Sequence, residues 1–255
     1  LMKTKALAIA ALIAITFFTS CKEKLPQQTE IALTQISAQS PPEKKTASLY
    51  VTAESGLSLR QYNNLKSQKL AVMPYGTKVE IVSLEANNTM NIRGVKGGMH
   101  QVLYNNKTGF AFSGYLSELF PPEPGANPKM YIADLQNTHP TASITELVGG
   151  TASEPSSTET LLIPTTKWHE AYLIAQKLYD IPRDFAMPDP QGRDAQVINS
   201  PNTPLESLVR ELQVTRLDNT LVEIVYNYTT NNFKQHLTIQ KQDGMMRIKQ
   251  HYVVL

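Results

Sequence analysis

Residues 47–119 carry the pattern that decides the fold, ASLYVTAESGLSLRQYNNLKSQKLAVMPYGTKVEIVSLEANNTMNIRGVKGGMHQVLYNNKTGFAFSGYLSEL. Short apolar runs recur along it, each closed by turn residues: LYV at 49–51, LSLR at 57–60, KLAV at 69–72, KVEIV at 78–82, QVLY at 101–104 and GFAF at 109–112. Strands of this length and spacing, separated by turn residues, predict a small all-β barrel or sandwich. A module of this kind suggests a binding scaffold rather than an enzyme.

Three motifs within this stretch, in order, resemble a bacterial SH3 (SH3b) domain. YVTA at 50–53 with GLSLR at 56–60 is similar to the opening strand and its "G-L-N-V-R" turn, and PYGTKVEI at 74–81 resembles the family's "G-x-x-V" strand start. GFAFSGYL at 109–116 is similar to the closing "G-W-V-x-x-x-Y-L" segment. The resemblance implies recognition of a peptidoglycan stem peptide or of a protein partner. Met99 stands where the family usually has a Trp, which favours the protein partner.

The SH3b-like stretch also supplies the candidate ligand groove. Its side chains combine aromatic rings with one guanidinium and are Arg60, Tyr62, Tyr75, Phe112 and Tyr115. The alternative role for each aromatic residue is to fill the core of a small barrel, because a domain of about seventy residues has little other apolar volume.

Composition limits the classes of function. The chain has 255 residues, 41% of them hydrophobic, which allows one or two domains with a buried core. The net charge is +2, and a leader that removed Lys3 and Lys5 would leave 22 basic and 22 acidic residues. A neutral chain without a basic stripe does not indicate nucleic-acid binding. The single cysteine excludes an internal disulfide, a CxxC redox pair and a multi-thiolate metal site.

The N-terminal residues are typical of an exported lipoprotein. A basic segment at 2–5 precedes thirteen apolar residues at 6–18, a run too short for a membrane-spanning helix but suited to a signal peptide. FTSC at 18–21 resembles a bacterial lipobox, which implies acylation of Cys21 and anchoring to a membrane. Lys22 in place of Asp points, by the same resemblance, to the outer membrane. The alternative is an ordinary signal peptide in which Cys21 occurs by chance.

These features predict a multi-domain protein in which a small all-β SH3-like barrel is followed by an α+β domain. The predicted segments are a lipoprotein signal peptide at 1–20, a flexible tether at 21–46, an SH3b-like domain at 47–120, a Pro-rich linker at 121–129 and an α+β domain of unknown function at 130–255.

The α+β prediction rests on one helix and four strands. Apolar residues from Lys167 to Asp180 recur at helical spacing, and Pro182 ends the pattern. Hairpin signals separate four alternating runs at 208–217, 221–229, 233–241 and 245–254. We therefore expect an amphipathic helix on a four-stranded antiparallel meander. A strand is predicted at 130–135, a short helix or strand at 144–148 and an exposed loop at 149–160. A long connection at 182–204 is a candidate functional loop because of its length.

No catalytic motif emerges. His169-Glu170 suggests the HExxH zinc motif, but Leu173 occupies the position of the second histidine, so His169 is expected to be a solvated helix residue. Cysteine peptidases often accompany SH3b domains, but the one thiol here is the lipidation candidate Cys21. We expect no metal, no cofactor and no catalytic residue.

The predicted function is a non-enzymatic, membrane-anchored envelope lipoprotein whose SH3b-like module binds a protein partner or a cell-wall peptide. A cell-wall hydrolase or accessory enzyme with its site in the C-terminal domain is the alternative. It would require acid and base groups converging beside residues 182–204. A purely structural or inhibitory role for the C-terminal sheet also remains open.

Overall fold

The computed structural model describes residues 47–123, 125–202 and 204–255. Residues 45–255 form one compact unit. The described residues are mostly β, in two seven-stranded sheets and one two-stranded sheet. The signal peptide, the tether and Cys21 lie outside the described residues.

The first sheet forms from the alternating runs of residues 48–117. Its strands, in the order in which they pair, are β3 (Lys69–Met73), β2 (Leu57–Arg60), β8 (Lys107–Phe112), β7 (Met99–Tyr104), β4 (Lys78–Ser83), β1 (Ser48–Val51) and β9 (Leu116–Ser117). A separate hairpin consists of β5 (Met90–Ile92) and β6 (Val95–Gly97), and a 3-10 turn at Ser113–Tyr115 follows β8. The paired strands of the first sheet and of the β5–β6 hairpin run antiparallel. Leu59 and Val102 are fully buried, so the alternation places one face in the core.

Two hairpin turns between the apolar runs have the same backbone conformation. Asn105 and Asn106 both have positive φ, 48° and 59°, and connect β7 to β8. Asp218 and Asn219 repeat this conformation further along the chain, with φ of 49° and 60°. Two successive residues of positive φ match the right-handed twist of paired strands, and Asn and Asp tolerate this conformation better than other side chains.

Helix α1 (Pro128–Gln136) occupies the region where the sequence predicted a strand at 130–135, and that prediction is wrong. The Asn127 side chain caps the helix by accepting from Lys129 N at 2.9 Å, and Pro128 at the first helical position needs no hydrogen-bond partner for its nitrogen. Tyr131 donates from its hydroxyl to Phe120 O at 3.0 Å, which ties the helix back to the end of the first sheet.

The second sheet takes its strands from residues 143–254. In pairing order they are β10 (Ser143–Gly150), β11 (Pro155–Ile163), β16 (Met245–Val254), β15 (Phe233–Gln242), β14 (Thr220–Thr230), β13 (Ser207–Leu217) and β12 (Ala195–Asn199). Helix α2 (Trp168–Leu178) lies between β11 and β12 in the chain. The four strands predicted for the last fifty residues are confirmed as β13–β16, and the predicted helix is confirmed as α2 with its apolar stripe buried.

The predicted fold class is nevertheless wrong. The C-terminal part is not a helix on a four-stranded meander, because β10, β11 and β12 extend the sheet to seven strands and the described residues contain only two α-helices. The predicted loop at 149–160 is largely β10 and β11, and the predicted connection at 182–204 contains β12. β10 and β12 are the two edge strands of this sheet, and most of their residues are exposed, so their sequences carry little apolar alternation.

Candidate ligand-binding site

A cavity of about 530 Å³ lies where the first sheet meets helix α2 and the segment after it. We call it the Phe112 cavity. One wall consists of the turn before β2, β2 itself and the ends of β6, β7 and β8, and the other of residues 172–187. Its volume is within the range of about 300–1,000 Å³ that is usual for sites of small ligands.

The floor of the Phe112 cavity is apolar. Leu57, Val95, Met99 and Phe112 are all buried and line it. The Phe112 ring contacts Tyr115 edge to face, with 5.6 Å between centroids. A side chain on Gly114 could not fit beside this ring, because a Cβ there would lie 2.4 Å from a Phe112 ring carbon. The sequence pattern Phe-Ser-Gly-Tyr therefore sets the position of the ring.

The rim of the cavity is charged and mostly cationic. Arg60, Arg93 and Arg183 line it together with a single carboxylate, Glu54. Glu54 is already paired, with Lys177 Nζ through one oxygen and with Arg183 Nε at 2.8 Å through the other. Arg60 donates from Nη1 to Ser67 O at 2.7 Å, which fixes its guanidinium at the edge of the cavity. The rim thus carries an excess of positive charge.

Tyr115 adds a neutral hydroxyl to this rim. Burial raises the pKa of Tyr115 above its ordinary value of 10.0, and nearby Arg93 acts in the opposite direction. A phenol with a raised pKa stays protonated at neutral pH, so it can donate a hydrogen bond as well as accept one.

The five predicted groove residues separate into two groups. Arg60, Phe112 and Tyr115 line the Phe112 cavity together. Tyr62 is 62% exposed and does not line it. Tyr75 lies elsewhere, where its hydroxyl donates to Pro122 O at 2.7 Å and Lys177 Nζ stands 5.2 Å from its ring centroid. Burial and the charges of Glu54 and Glu123 raise the pKa of Tyr75.

The sequence did not predict that the second wall of the cavity would lie beside Phe112. Tyr172, Arg183, Phe185 and Met187 line the cavity but lie in the part of the sequence that was predicted as a different domain. Tyr172 donates to Phe185 O at 2.9 Å, which holds the segment after α2 against the helix. The one available signal was the length of the 182–204 connection, and the residues at its beginning are those that line the cavity.

No protein-family model, no curated protein and no solved structure matches this chain. The likeness to SH3b domains therefore stays a prediction from sequence motifs. What the site can do must be argued from its own geometry.

A second cavity, of about 510 Å³, lies at the start of α2, and we call it the Trp168 cavity. His100 and His169 both line it, so His169 is not a fully solvated helix residue as expected. His100 Nδ1 accepts from Glu85 N at 3.0 Å. Burial is the largest cause and lowers the pKa of both histidines. Lys167 lowers both further, whereas Glu85 raises the pKa of His100 and Glu170 raises that of His169, so the net direction is down. Their neutral forms are therefore favoured in the folded protein.

The described residues contain neither a cluster of metal ligands nor a membrane-spanning helix. Within residues 47–123, 125–202 and 204–255, no group of three or more His, Cys, Asp or Glu side chains could hold a metal ion. Over the same residues, neither helix is long and apolar enough to cross a lipid bilayer.

Proposed function

We propose that the protein is a non-enzymatic, membrane-anchored lipoprotein of the bacterial envelope that binds a peptide with free carboxylates in the Phe112 cavity. The peptide belongs either to the cell wall or to an envelope protein partner. The observation that carries the proposal is the combination of an apolar floor at Phe112 with a rim of three arginines.

The charges of the rim favour carboxylates. Guanidinium groups bind carboxylates through paired N–H donors, an arrangement stronger than a neutral hydrogen bond. Glu54 offsets only part of this preference, because it also pairs with Lys177, which lies outside the cavity lining, and Arg60 and Arg93 form no ion pair with it. The buried floor can receive a small aliphatic side chain of the same ligand. The motif resemblance to SH3b domains, which implies peptide recognition, supports the same ligand class.

The hydrolase alternative receives no support from the two aspartates of residues 182–204 that have side-chain hydrogen bonds. Asp184 accepts from Ser200 Oγ at 2.8 Å, and Asp189 Oδ1 accepts from Gln191 N at 2.9 Å. Neither aspartate lines the Phe112 cavity. A clearing zone produced by the purified protein in a murein gel would contradict the non-enzymatic assignment.

The binding proposal is tested with the whole mature chain carrying Cys21→Ser, so that it stays in solution. Purified sacculi and isolated stem tetrapeptide serve as probes, beside affinity purification from envelope extracts. Arg60→Gln and Arg183→Gln should each weaken peptide binding about tenfold, since each removes a charged hydrogen bond worth about 1.5–3 kcal/mol. Tyr62→Ala is the matched control, because Tyr62 lies in the bend just after β2 but does not line the cavity.

The two sources of peptide give different results. Retention on sacculi that is lost in Arg60→Gln assigns the cavity to the cell wall. Co-purification of one envelope protein, lost in the same variant and without retention on sacculi, assigns it to a protein partner. Binding of either kind that is unchanged in both arginine variants would overturn the proposal.

A further inference from the structure

The second sheet carries a continuous row of side chains that the Phe112 cavity does not use. Tyr252 on β16 pairs with Gln235 on β15, Gln235 pairs with Tyr228 on β14, and Tyr228 pairs with Arg210 on β13. Directly paired residues project from the same face of a sheet. Four neighbouring strands therefore place two phenol rings, an amide and a guanidinium in one line.

The next row on this face belongs to the core. Two residues along from Arg210, Tyr228 and Gln235 are Leu212, Tyr226 and Leu237, all with no exposed surface. The row of Tyr252, by contrast, is only half-buried. The face thus changes from core to open surface between two successive rows.

A cavity of about 430 Å³ lies over this row, and we call it the Tyr252 groove. The end of α2 forms its other side through Leu178, Tyr179 and Asp180. Gln235 Nε2 donates to Tyr179 O at 3.1 Å, and Tyr179 donates from its hydroxyl to Glu159 Oε2 at 3.2 Å. The polar side chains of the groove are therefore held in place before any ligand arrives.

The aromatic rings in the groove are ordered against one another. Phe233 stacks on Tyr252 with 5.3 Å between centroids and meets Tyr228 edge to face at 5.2 Å. The Arg210 guanidinium lies over Tyr228, 5.1 Å from the ring centroid. Half-buried rings fixed in this way form a rigid platform, because their rotamers are already restricted.

Arg210 is held in place at the end of this row. Its Nη1 donates to Asn202 O at 3.2 Å. Burial raises the pKa of Tyr226, and a hydrogen bond from the neighbouring Arg210 side chain and its charge act in the opposite direction. The guanidinium is therefore positioned by its neighbours before any ligand arrives.

We propose that the Tyr252 groove binds a neutral oligosaccharide. A sugar ring has an apolar C–H face that packs on an aromatic platform, and hydroxyls that both donate and accept hydrogen bonds at its edge. The groove offers matching partners in the amides of Gln235 and Gln250 and the carboxylate of Glu159. Its charged groups are of both signs, Arg210 against Glu159 and Asp180, so they do not select a strongly charged ligand.

This site is separate from the peptide site and does not depend on it. The two cavities share no lining residue. A protein with both would hold a polymer that contains sugars and peptides through two independent contacts, and two linked contacts bind more tightly than either alone.

The test uses the whole mature chain with Cys21→Ser and titration calorimetry. The probes are the tetramers of N-acetylglucosamine and of glucose, and a proline-rich peptide is included because aromatic grooves also bind such segments. We expect one of the tetrasaccharides to bind at millimolar concentration or below. Tyr252→Ala should weaken that binding about tenfold or more, because the platform is lost.

Two further variants separate loss of the saccharide site from loss of stability. Tyr62→Ala removes an exposed ring from the bend after β2 and should leave saccharide binding unchanged. If Tyr252→Ala melts early, Gln250→Ala removes a polar partner from the groove while leaving the platform intact. Failure of both tetrasaccharides to bind, binding of the proline-rich peptide instead, or saccharide binding that neither groove variant weakens would each overturn the proposal.

Discussion

The two histidines of the Trp168 cavity make stability depend on pH. The pKa of His100 and that of His169 lie below the ordinary value of 6.5 in the folded protein, chiefly because of burial. The unfolded chain therefore binds more protons than the folded chain at mildly acid pH. Their contribution to stability is fully present above pH 6.5, and it is lost as the pH falls from there through the lowered pKa values.

We therefore expect the free energy of unfolding to decrease below pH 6.5. The decrease is at most about 1.4 kcal/mol per pH unit for each histidine, and less for His100, which water partly screens. His100→Asn keeps an acceptor for Glu85 N but cannot take up the proton, so it should reduce the slope. Urea unfolding across this pH range measures it, with His236→Asn as an exposed control. An unchanged slope in His100→Asn would contradict the assignment to His100.

At the site, sequence reasoning reached the residues that belong to the stretch with the SH3b-like motifs. Arg60, Phe112 and Tyr115 were predicted as a groove, and the structure places all three in the Phe112 cavity. Arg183 and Phe185 could not be found in this way, because their approach to Phe112 depends on how α2 packs against the first sheet. A sequence pattern with a period of two or of 3.6 residues carries no information about contacts between distant elements.

At the scale of elements, turns were the most predictable feature. Asn105 and Asn106 have positive φ, 48° and 59°. This left-handed conformation is unfavourable by about 1–2 kcal/mol for residues other than Gly, Asn and Asp. Asn106→Ala should therefore lower the free energy of unfolding by about 1 kcal/mol, whereas Asn106→Gly should leave it unchanged or raise it. Urea unfolding of the two variants compares them directly. Equal losses in both would mean that the Asn106 side chain, not its backbone conformation, stabilises the turn.

Strand β10 was left open between helix and strand at 144–148, and helix α1 was missed, for different physical reasons. The burial of β10 decreases along the strand until its last six residues are all exposed, so the apolar alternation that reveals a strand is absent. The strand forms because its backbone pairs with β11 at eight positions. Helix α1 was missed for a different reason, since its cap at Asn127 and the proline after it were visible but lie within a Pro-rich segment that also suits an extended chain.

At the scale of the whole molecule, Glu54 connects the two halves. Its carboxylate pairs with Lys177 on α2 and with Arg183 after it, although Glu54 itself precedes β2 of the first sheet. The Lys177 side chain is only 14% exposed and Glu54 23%, so this pair is well shielded from water. Lys177 also reaches the first half through Tyr75, with its Nζ 5.2 Å from the ring centroid.

We therefore expect residues 47–255 to unfold in one cooperative transition. Glu54→Gln should lower the free energy of unfolding by about 1–3 kcal/mol, because the substitution leaves Lys177 without a counter-charge. Arg183→Gln is the matched control and should cost less than about 1 kcal/mol, since Arg183 is 78% exposed. Calorimetry and urea titration followed by two probes measure both. Two separate transitions in the unaltered protein would show instead that 47–120 and 130–255 fold as independent domains.

The proposed lipid anchor at Cys21 lies outside the described residues and is tested on the membrane-extracted protein. If Cys21 is acylated, the intact mass equals that of the chain from Cys21 onward plus its acyl chains, and the protein partitions into detergent. Two or three acyl chains contribute about 0.8 kcal/mol for each buried methylene group, which is enough for stable anchoring. Cys21→Ala should lose both the added mass and the partitioning, while its melting temperature stays unchanged because residues 45–255 form a unit of their own. An unmodified mass in the wild type would remove the anchor but leave both cavities intact, so their ligands would then have to be sought among soluble molecules as well as in the cell envelope.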